Sequence, residues 1–276
     1  KRMIVFKKSY GDLKSILGQT EVNGVLINSG ITTDAKNDER RGIRKGPLDL
    51  RYDMQAGIPC SEWLANQTFQ KLSKAIEDFS RFDEWTCMRI AHEVLCEQNA
   101  LGGRFTQISQ LAKAVRRVLP PTEEFGRKND YGPKSVLAVL RRIINQEFKE
   151  LQKALDGSFQ QLTMGGRCLV ICQSTIDRNV IRRFMRQNEE PEATASIKMD
   201  KRRLKKLYPL AGTDQPYAVR SLDSTRLSIH ELNSNPDATR GASLMVLEKV
   251  PRTILLRKSG ALQSFPSRPF TATAAP

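Results

Sequence analysis

The chain is poor in the residues that build metal and disulfide sites. Its 276 residues include five cysteines (Cys60, Cys87, Cys96, Cys168, Cys172) and two histidines (His92, His230), with no CxxC pair. A structural zinc site needs about four ligands, usually in close pairs, so no metal is expected. The odd cysteine count, with nothing that reads as a signal peptide, points to reduced thiols inside a cell or organelle. Cys168 and Cys172 flank an apolar run and read as core. No apolar run approaches the roughly 20 residues that span a bilayer, so no membrane partner is expected. Lys1 is not a start methionine, so the natural N-terminus is expected to lie upstream.

Acidic residues are the other shortage: 30 Asp and Glu stand against 45 Lys and Arg, giving a net charge of +15 and a pI near 9.8. Such a balance suits a polyanionic partner, most often nucleic acid. A basic compartment such as a mitochondrial matrix gives the same composition. Hydrophobic residues make up 39% and charged residues 27%, an ordinary globular composition.

Met3–Phe6 and Gly24–Ile27 read as strands, the latter buried and ending at Asn28-Ser29-Gly30. Continuous apolar strands suit a parallel sheet with helices between, whose ligands bind at the C-terminal strand ends. That places Tyr10 and Asn28–Gly30 at the expected site. Residues 31–46 are polar and read as loop. From about 61 to 119 the pattern is helical: Leu72, Ile76 and Phe79; then Cys87, Ile90, Ala91, Val94 and Leu95; then Ile108, Leu111, Ala112 and Val115. Ser61 and Thr106 are the expected N-caps, and Pro120-Pro121 ends the block.

Lys134–Leu155 reads as one long amphipathic helix. Gly165-Gly166 reads as a turn into a third buried strand, Cys168–Ile171, followed by a basic helix, Asp177–Arg186. Lys198–Tyr208 is a dense basic run, Ser243–Leu247 a late strand, and the tail after about 258 is expected to be disordered. The expected fold is α/β, with a helical module lodged between two α/β halves.

One stretch carries more information than the rest. Gly46-Pro47-Leu48-Asp49-Leu50-Arg51-Tyr52-Asp53 resembles the PLDMRMD signature of the MraW/RsmH family of small-subunit ribosomal RNA methyltransferases. Weaker blocks follow in the family's order. Gly24–Gly30 is similar to GILLDLG, and Asp38–Gly42 to DDxERGF. Trp63-Leu64 resembles the WLN that opens the inserted domain. Asp83-Glu84 with Arg89-Ile90-Ala91 resembles GEE followed by RIA, and Thr106–Ala112 resembles TTxxLA. Leu140–Glu147 keeps the asparagine and glutamate of a family helix, as Asn145 and Glu147. Gly165–Ile171 resembles GGRLxVI, and Asn235–Leu244 the C-terminal NPRARSAKL.

The resemblance covers most of residues 1–250 and implies a Rossmann-like class I methyltransferase fold with an inserted helical domain. It implies a core at 1–58 and 131–258, a helical RNA-recognition insertion at 59–130, and a tail at 259–276. It also implies S-adenosylmethionine as cofactor and the exocyclic amine of a cytosine as acceptor. Asn28, Asp49 and Arg51 are then the candidate catalytic residues, and Tyr10, Asn28 and Gly30 the candidate cofactor residues. For Asn28 a strand-end turn residue is the favoured reading; for Asp49–Arg51 the alternative to a loop-organising role is a structural ion pair.

Several family positions are changed. The family's glycine-rich GGH loop and ribose-holding acid fall before residue 1. Its strand-end aspartate is Asn28 and a nearby glutamine is Ala35. The motif HPATRTFQ reads Tyr131–Ala138, and SFHSLEDR reads Cys172–Asn179. These changes favour a catalytically silent assembly or structural factor of a small ribosomal subunit, with no cofactor; the alternative is an active methyltransferase. Arg40, Arg41, Arg44, Lys45, Lys201, Arg202, Arg203, Lys205 and Lys206 are expected to touch phosphate, or else to be solvated charge. The expected partners are small-subunit ribosomal RNA, ribosomal proteins or assembly factors, and a second copy or a related methyltransferase. The mitochondrial matrix is expected over a bacterial cytoplasm. His92 is expected on a helix surface, and Trp63 and Trp85 as core or interface anchors rather than base-stacking platforms.

Overall fold

A computed structural model describes residues 3–29, 46–124, 127–129, 131–191, 200–226, 228–234, 242–252, 254–256 and 262–264. It divides into a sheet unit (1–30 with 149–276) and a helical unit (31–148) that is inserted in the chain between the two parts of the first. This is the α/β, Rossmann-like arrangement expected from the sequence. The expected insertion limits, 59 and 130, both fall inside the helical unit.

The sheet unit opens with a 3-10 turn (Tyr10–Asp12) and α1 (Leu13–Leu17), then β1 (Val22–Asn28). After the insertion come α7 (Glu147–Gln161), β4 (Leu162–Cys172), α8 (Thr175–Asn188), α9 (Lys201–Leu207), β5 (Tyr217–Arg226), α10 (Ile229–Ser234) and β6 (Ser243–Pro251). A small hairpin, β7 (Ile254–Leu256) with β8 (Leu262–Ser264), follows. The sheet order is β1-β4-β6-β5. β1 and β4 are parallel, with Asn28 opposite Ile171; β4–β6 and β6–β5 are antiparallel.

Alternation sets the core. Cys168, Val170 and Cys172 on β4 and Met245 and Leu247 on β6 share one buried face. On it pack Leu151, Leu155 and Phe159 of α7 and Ile181 and Phe184 of α8, with the Phe159 and Phe184 rings 5.2 Å apart. Lys249 continues the buried stripe. Its ammonium donates to the Leu162 carbonyl at 2.6 Å and lies 4.6 Å from the Tyr217 ring centre.

The helical unit holds α2 (Cys60–Ala65), α3 (Phe69–Phe79), α4 (Glu84–Ala100), α5 (Ile108–Val118), a hairpin of β2 (Thr122–Glu124) with β3 (Arg127–Asn129), and α6 (Tyr131–Ile144). Its core is Leu64, Leu72, Ile76, Cys87, Ile90, Val94, Leu111, Val115 and Leu140, joined by Leu48 and Leu50. The helical spacing read between 61 and 119 produces α2 to α5.

Several expectations are corrected. Met3–Phe6 is no strand: no described strand pairs with it and all four side chains are exposed. β1 is buried less than its apolar run suggests, since among the described residues it pairs on one edge only, and Leu26 stays 65% exposed. The helix read across 134–155 is two helices, broken at Asn145 and Gln146, where Gln146 takes φ 51°. Gly165-Gly166 lies inside β4. A Cβ on Gly166 would come within 2.8 Å of the Thr163 carbonyl oxygen and 3.1 Å of that of Asn23. Neither expected N-cap holds. α2 is preceded by Pro59, while α5 is capped by Gln107 and Gln110 in a reciprocal box.

Candidate active-site loop and basic face

The signature stretch is a built loop rather than a passive connection. Gly46 and Pro47 lie against the turn before α5: Leu48 N–H donates to the Thr106 carbonyl at 3.0 Å, and Ile108 N–H to that of Gly46 at 3.1 Å. On the other side, Cys60 and Ser61 N–H donate to the Asp49 and Leu48 carbonyls, both at 2.8 Å. Leu48 and Leu50 insert into the helical core and anchor the loop.

Between these anchors the backbone is strained. Leu50 has φ 65°, a left-handed conformation costing about 1–2 kcal/mol for a residue with a Cβ. Such strain persists only where the surroundings over-determine it, and it clusters at functional sites. Asn145 supplies the constraint. Its amide nitrogen donates to the Leu50 carbonyl at 2.8 Å, and its amide oxygen accepts from Tyr52 N–H at 2.7 Å. The same amide nitrogen donates to the Arg141 carbonyl at 2.8 Å, fixing the side chain to the end of α6. Tyr52 in turn donates its hydroxyl to Glu147 at 2.5 Å, and Arg141 holds Glu147 by a pair at 2.8 Å. The helix break at 145–146 thus aims two side chains at one loop.

Asp49 and Arg51 form a two-pronged pair: Arg51 Nε reaches Asp49 Oδ1 at 2.7 Å and Nη2 reaches Oδ2 at 2.8 Å. Arg51 Nη1 also donates to the Gly57 carbonyl at 3.1 Å. Burial pushes the Asp49 carboxyl up, but the hydrogen bonds and charge of Arg51 outweigh it and hold the pKa below the usual carboxylate value. Both carboxylate oxygens are engaged by one guanidinium, so the pair orients the loop and is poorly placed to take a proton. The ion pair read from the sequence is present. Burial beside the Asp49 charge pushes the Cys60 thiol up, which keeps it protonated and inert.

In the sheet unit Asn28 ends β1 with its side chain exposed. The next residue closes the strand end: Ser29 N–H and Oγ both donate to the Ile171 carbonyl, at 3.0 and 2.9 Å. Beside it, Ser174 and Asp177 cap the start of α8 reciprocally. Tyr10 opens the 3-10 turn and is 40% exposed, next to Ser9, whose hydroxyl donates to Glu150. The structure thus brings Asp49 and Arg51 together in the helical unit, while Tyr10 and Asn28 belong to the sheet unit. Gly30, Ala35, Arg40, Arg41, Arg44 and Lys45 lie outside the described residues, as do Lys198 and the tail from 265.

The basic run after Asp200 is α9. Asp200 caps it, Leu204 is its buried anchor, and Lys201, Arg202, Arg203, Lys205 and Lys206 are all exposed. Their side chains make no ion pair among the described residues. Asn145 and Glu147 carry no role that the sequence alone assigns. The available signal was a short polar side chain inside an amphipathic run, which competes for backbone groups and ends helices. Trp63 packs partly buried against the helical core, whereas Trp85 is 67% exposed and is no core residue.

The profile of the MraW methylase family matches residues 1–250. Three similar proteins carry the name ribosomal RNA small subunit methyltransferase H. That of Herminiimonas arsenicoxydans is 31% identical over 262 residues, covering 91% of this chain and 74% of that protein. That of Cupriavidus metallidurans is 29% identical, covering 85% of the chain and 70% of the relative. That of Ralstonia nicotianae is 28% identical, covering 90% and 76%.

Proposed function

The chain belongs to the MraW methylase family, and from that premise we propose that it methylates small-subunit ribosomal RNA, at the exocyclic amine of a cytosine. The observation that carries this is the signature loop. A strained Leu50, a paired Asp49–Arg51 and the Asn145 and Glu147 anchors keep the family's most distinctive motif in one conformation. Maintaining that strain has no evident purpose in a passive connection.

S-adenosylmethionine, when bound, supplies a methyl group on a positively charged sulfur. The described residues fit it in part. The C-terminal end of the parallel β1–β4 pair is the edge where such sheets bind ligands. It presents an exposed amide at Asn28, and the same unit presents a half-exposed phenol at Tyr10 for an adenine ring.

The residues of this chain then act by positioning and electrostatics. The Asn28 amide oxygen accepts a hydrogen bond from the cytosine amine and orients its lone pair. Arg51 keeps Asp49 ionised, and together they fix the loop. The five cations of α9 and Arg40, Arg41, Arg44 and Lys45 hold phosphate. The altered motifs at 131–138 and 172–179 motivate the assembly-factor alternative, but the names of the relatives favour the enzyme. A mitochondrial matrix location belongs to the same proposal and rests on the charge of +15.

The test is incubation of the full-length protein with unmethylated small-subunit ribosomal RNA and labelled S-adenosylmethionine, followed by nucleoside mass spectrometry. Labelled N4-methylcytidine is expected. Asn28→Ala should lower its formation by roughly 10²–10³-fold, the scale of losing one electrostatic group. RNA binding without any label would establish the assembly factor instead.

A further inference from the structure

The helical unit carries a surface pocket that the methyl-transfer reading does not use. It has a volume of ≈ 280 Å³ and lies between α4 and the ends of α3 and α5. Phe69, Met88 and Val118 give it an apolar lining, Trp85 walls it, and Arg89 and Arg117 stand at its edge. Trp85 is 67% exposed. An indole left so open buries little and contributes little to the helical core, which closes without it. Its neighbour one turn along α4, Arg89, is exposed and pairs with no carboxylate among the described residues. Arg117, by contrast, is held by Glu97 at 2.6 Å and Glu93 at 3.6 Å. The pocket therefore has a flat aromatic wall, an apolar lining, one guanidinium with no carboxylate partner among the described residues, and one carboxylate, Glu93, that Arg117 holds.

We propose that this pocket binds one nucleotide of single-stranded RNA, with the base stacked on Trp85 and its phosphate on Arg89. The size fits, since a cavity of about 150 Å³ holds a benzene ring. The chemistry fits as well: an aromatic face with a neighbouring cation is how proteins hold single strands without reading sequence. The spacing of Trp85 and Arg89, four residues apart on one helix, puts ring and guanidinium side by side. Arg89, exposed beside the ring, favours a phosphate-bearing ligand over an apolar one for this site. The inference rests on the RNA-binding part of the proposed function and not on methyl transfer.

Trp63 and Trp85 are the only two tryptophans, so Trp63→Phe leaves Trp85 as the sole indole reporter. Titrating that full-length variant with hexacytidylate or hexauridylate should quench its emission in a saturable way, whereas a blunt RNA duplex should not. Trp85→Ala should weaken hexamer binding roughly tenfold or more, the scale of removing one base–aromatic stack. Trp85→Phe should restore most of it. Arg89→Ala should reduce the salt slope by about one unit. The proposal is overturned if Trp85→Ala binds the hexamers as wild type does, or if wild type binds none. Should Trp85→Ala instead lose a bound protein while its RNA affinity stays unchanged, the pocket is a protein-docking site and the proposal again fails. Methyl transfer is scored separately. Hexamer binding through Trp85 without transfer would reject only the enzyme reading, and transfer with no effect of Trp85→Ala on binding only this one.

Discussion

Asn145 holds Leu50 in a left-handed backbone conformation: its amide nitrogen donates to the Leu50 carbonyl at 2.8 Å while Leu50 sits at φ 65°. Its amide oxygen secures the N–H of Tyr52 at 2.7 Å, so a single side chain straddles the strained residue. Asn145→Ala should cost about 1–3 kcal/mol, since it leaves a backbone donor and acceptor without partners. The loss should be local. Hydrogen exchange at the amide of Tyr52 should rise well above that of the α4 amides. Uniform acceleration across the helical unit would show instead that Asn145 supports the whole core.

Asp49 gives the helical unit an acid limb. Its pKa in the fold lies below the unfolded value, so its contribution is complete above about pH 4 and is lost as pH falls through the folded pKa. Asp49→Asn should lower the melting temperature at pH 7 and flatten the decline between about pH 5 and 2. Parallel melting curves for variant and wild type over that range would show that the Arg51 pair contributes nothing to stability.

Gly166 is needed for space. A Cβ there meets two backbone oxygens, of Thr163 and Asn23, at 2.8 and 3.1 Å. Gly166→Ala should therefore force β1 and β4 apart near their irregular register and cost about 1–3 kcal/mol. Gly165→Ala adds no clash but is strained at φ 80°, so it should cost about 1 kcal/mol. Equal thermal stability of Gly166→Ala and wild type would contradict the close approach.

Five exposed cations on α9 surround one buried leucine, Leu204. Neutralising Lys201, Arg202, Arg203, Lys205 and Lys206 together should leave the melting temperature unchanged. It should flatten the salt dependence of RNA affinity by roughly one log–log unit for each phosphate no longer neutralised. An unchanged slope would assign them to solvated surface.

The parts of the fold legible in the sequence were those written as periodicity. The stripes Leu72–Ile76 and Ile90–Val94 became core faces, and the apolar run before Cys172 became a parallel strand. What escaped depended on single backbone angles or on pairing between distant segments. The break at Gln146 is invisible to an apolar pattern that continues past it to Leu151. The alternation in β5, Tyr217-Ala-Val-Arg-Ser-Leu, is too weak to announce an edge strand without its partner β6. Met3–Phe6 has the composition of a strand but no described neighbour to pair with. For the site, the motif singles out Asp49 and Arg51 but does not show that they satisfy each other. Trp85 reads from the sequence as a core or interface anchor or as a base-stacking platform, and only the fold reveals which side of α4 it takes.

The central claim is that the loop held by Asn145 serves methyl transfer. Single-turnover transfer of labelled methyl to small-subunit ribosomal RNA by Asn145→Ala, measured alongside RNA affinity, tests it most directly. A rate at least roughly tenfold below wild type, with RNA affinity within about twofold, is predicted for a lost positioning constraint. A wild-type rate in a variant whose Tyr52 amide exchanges freely would contradict it.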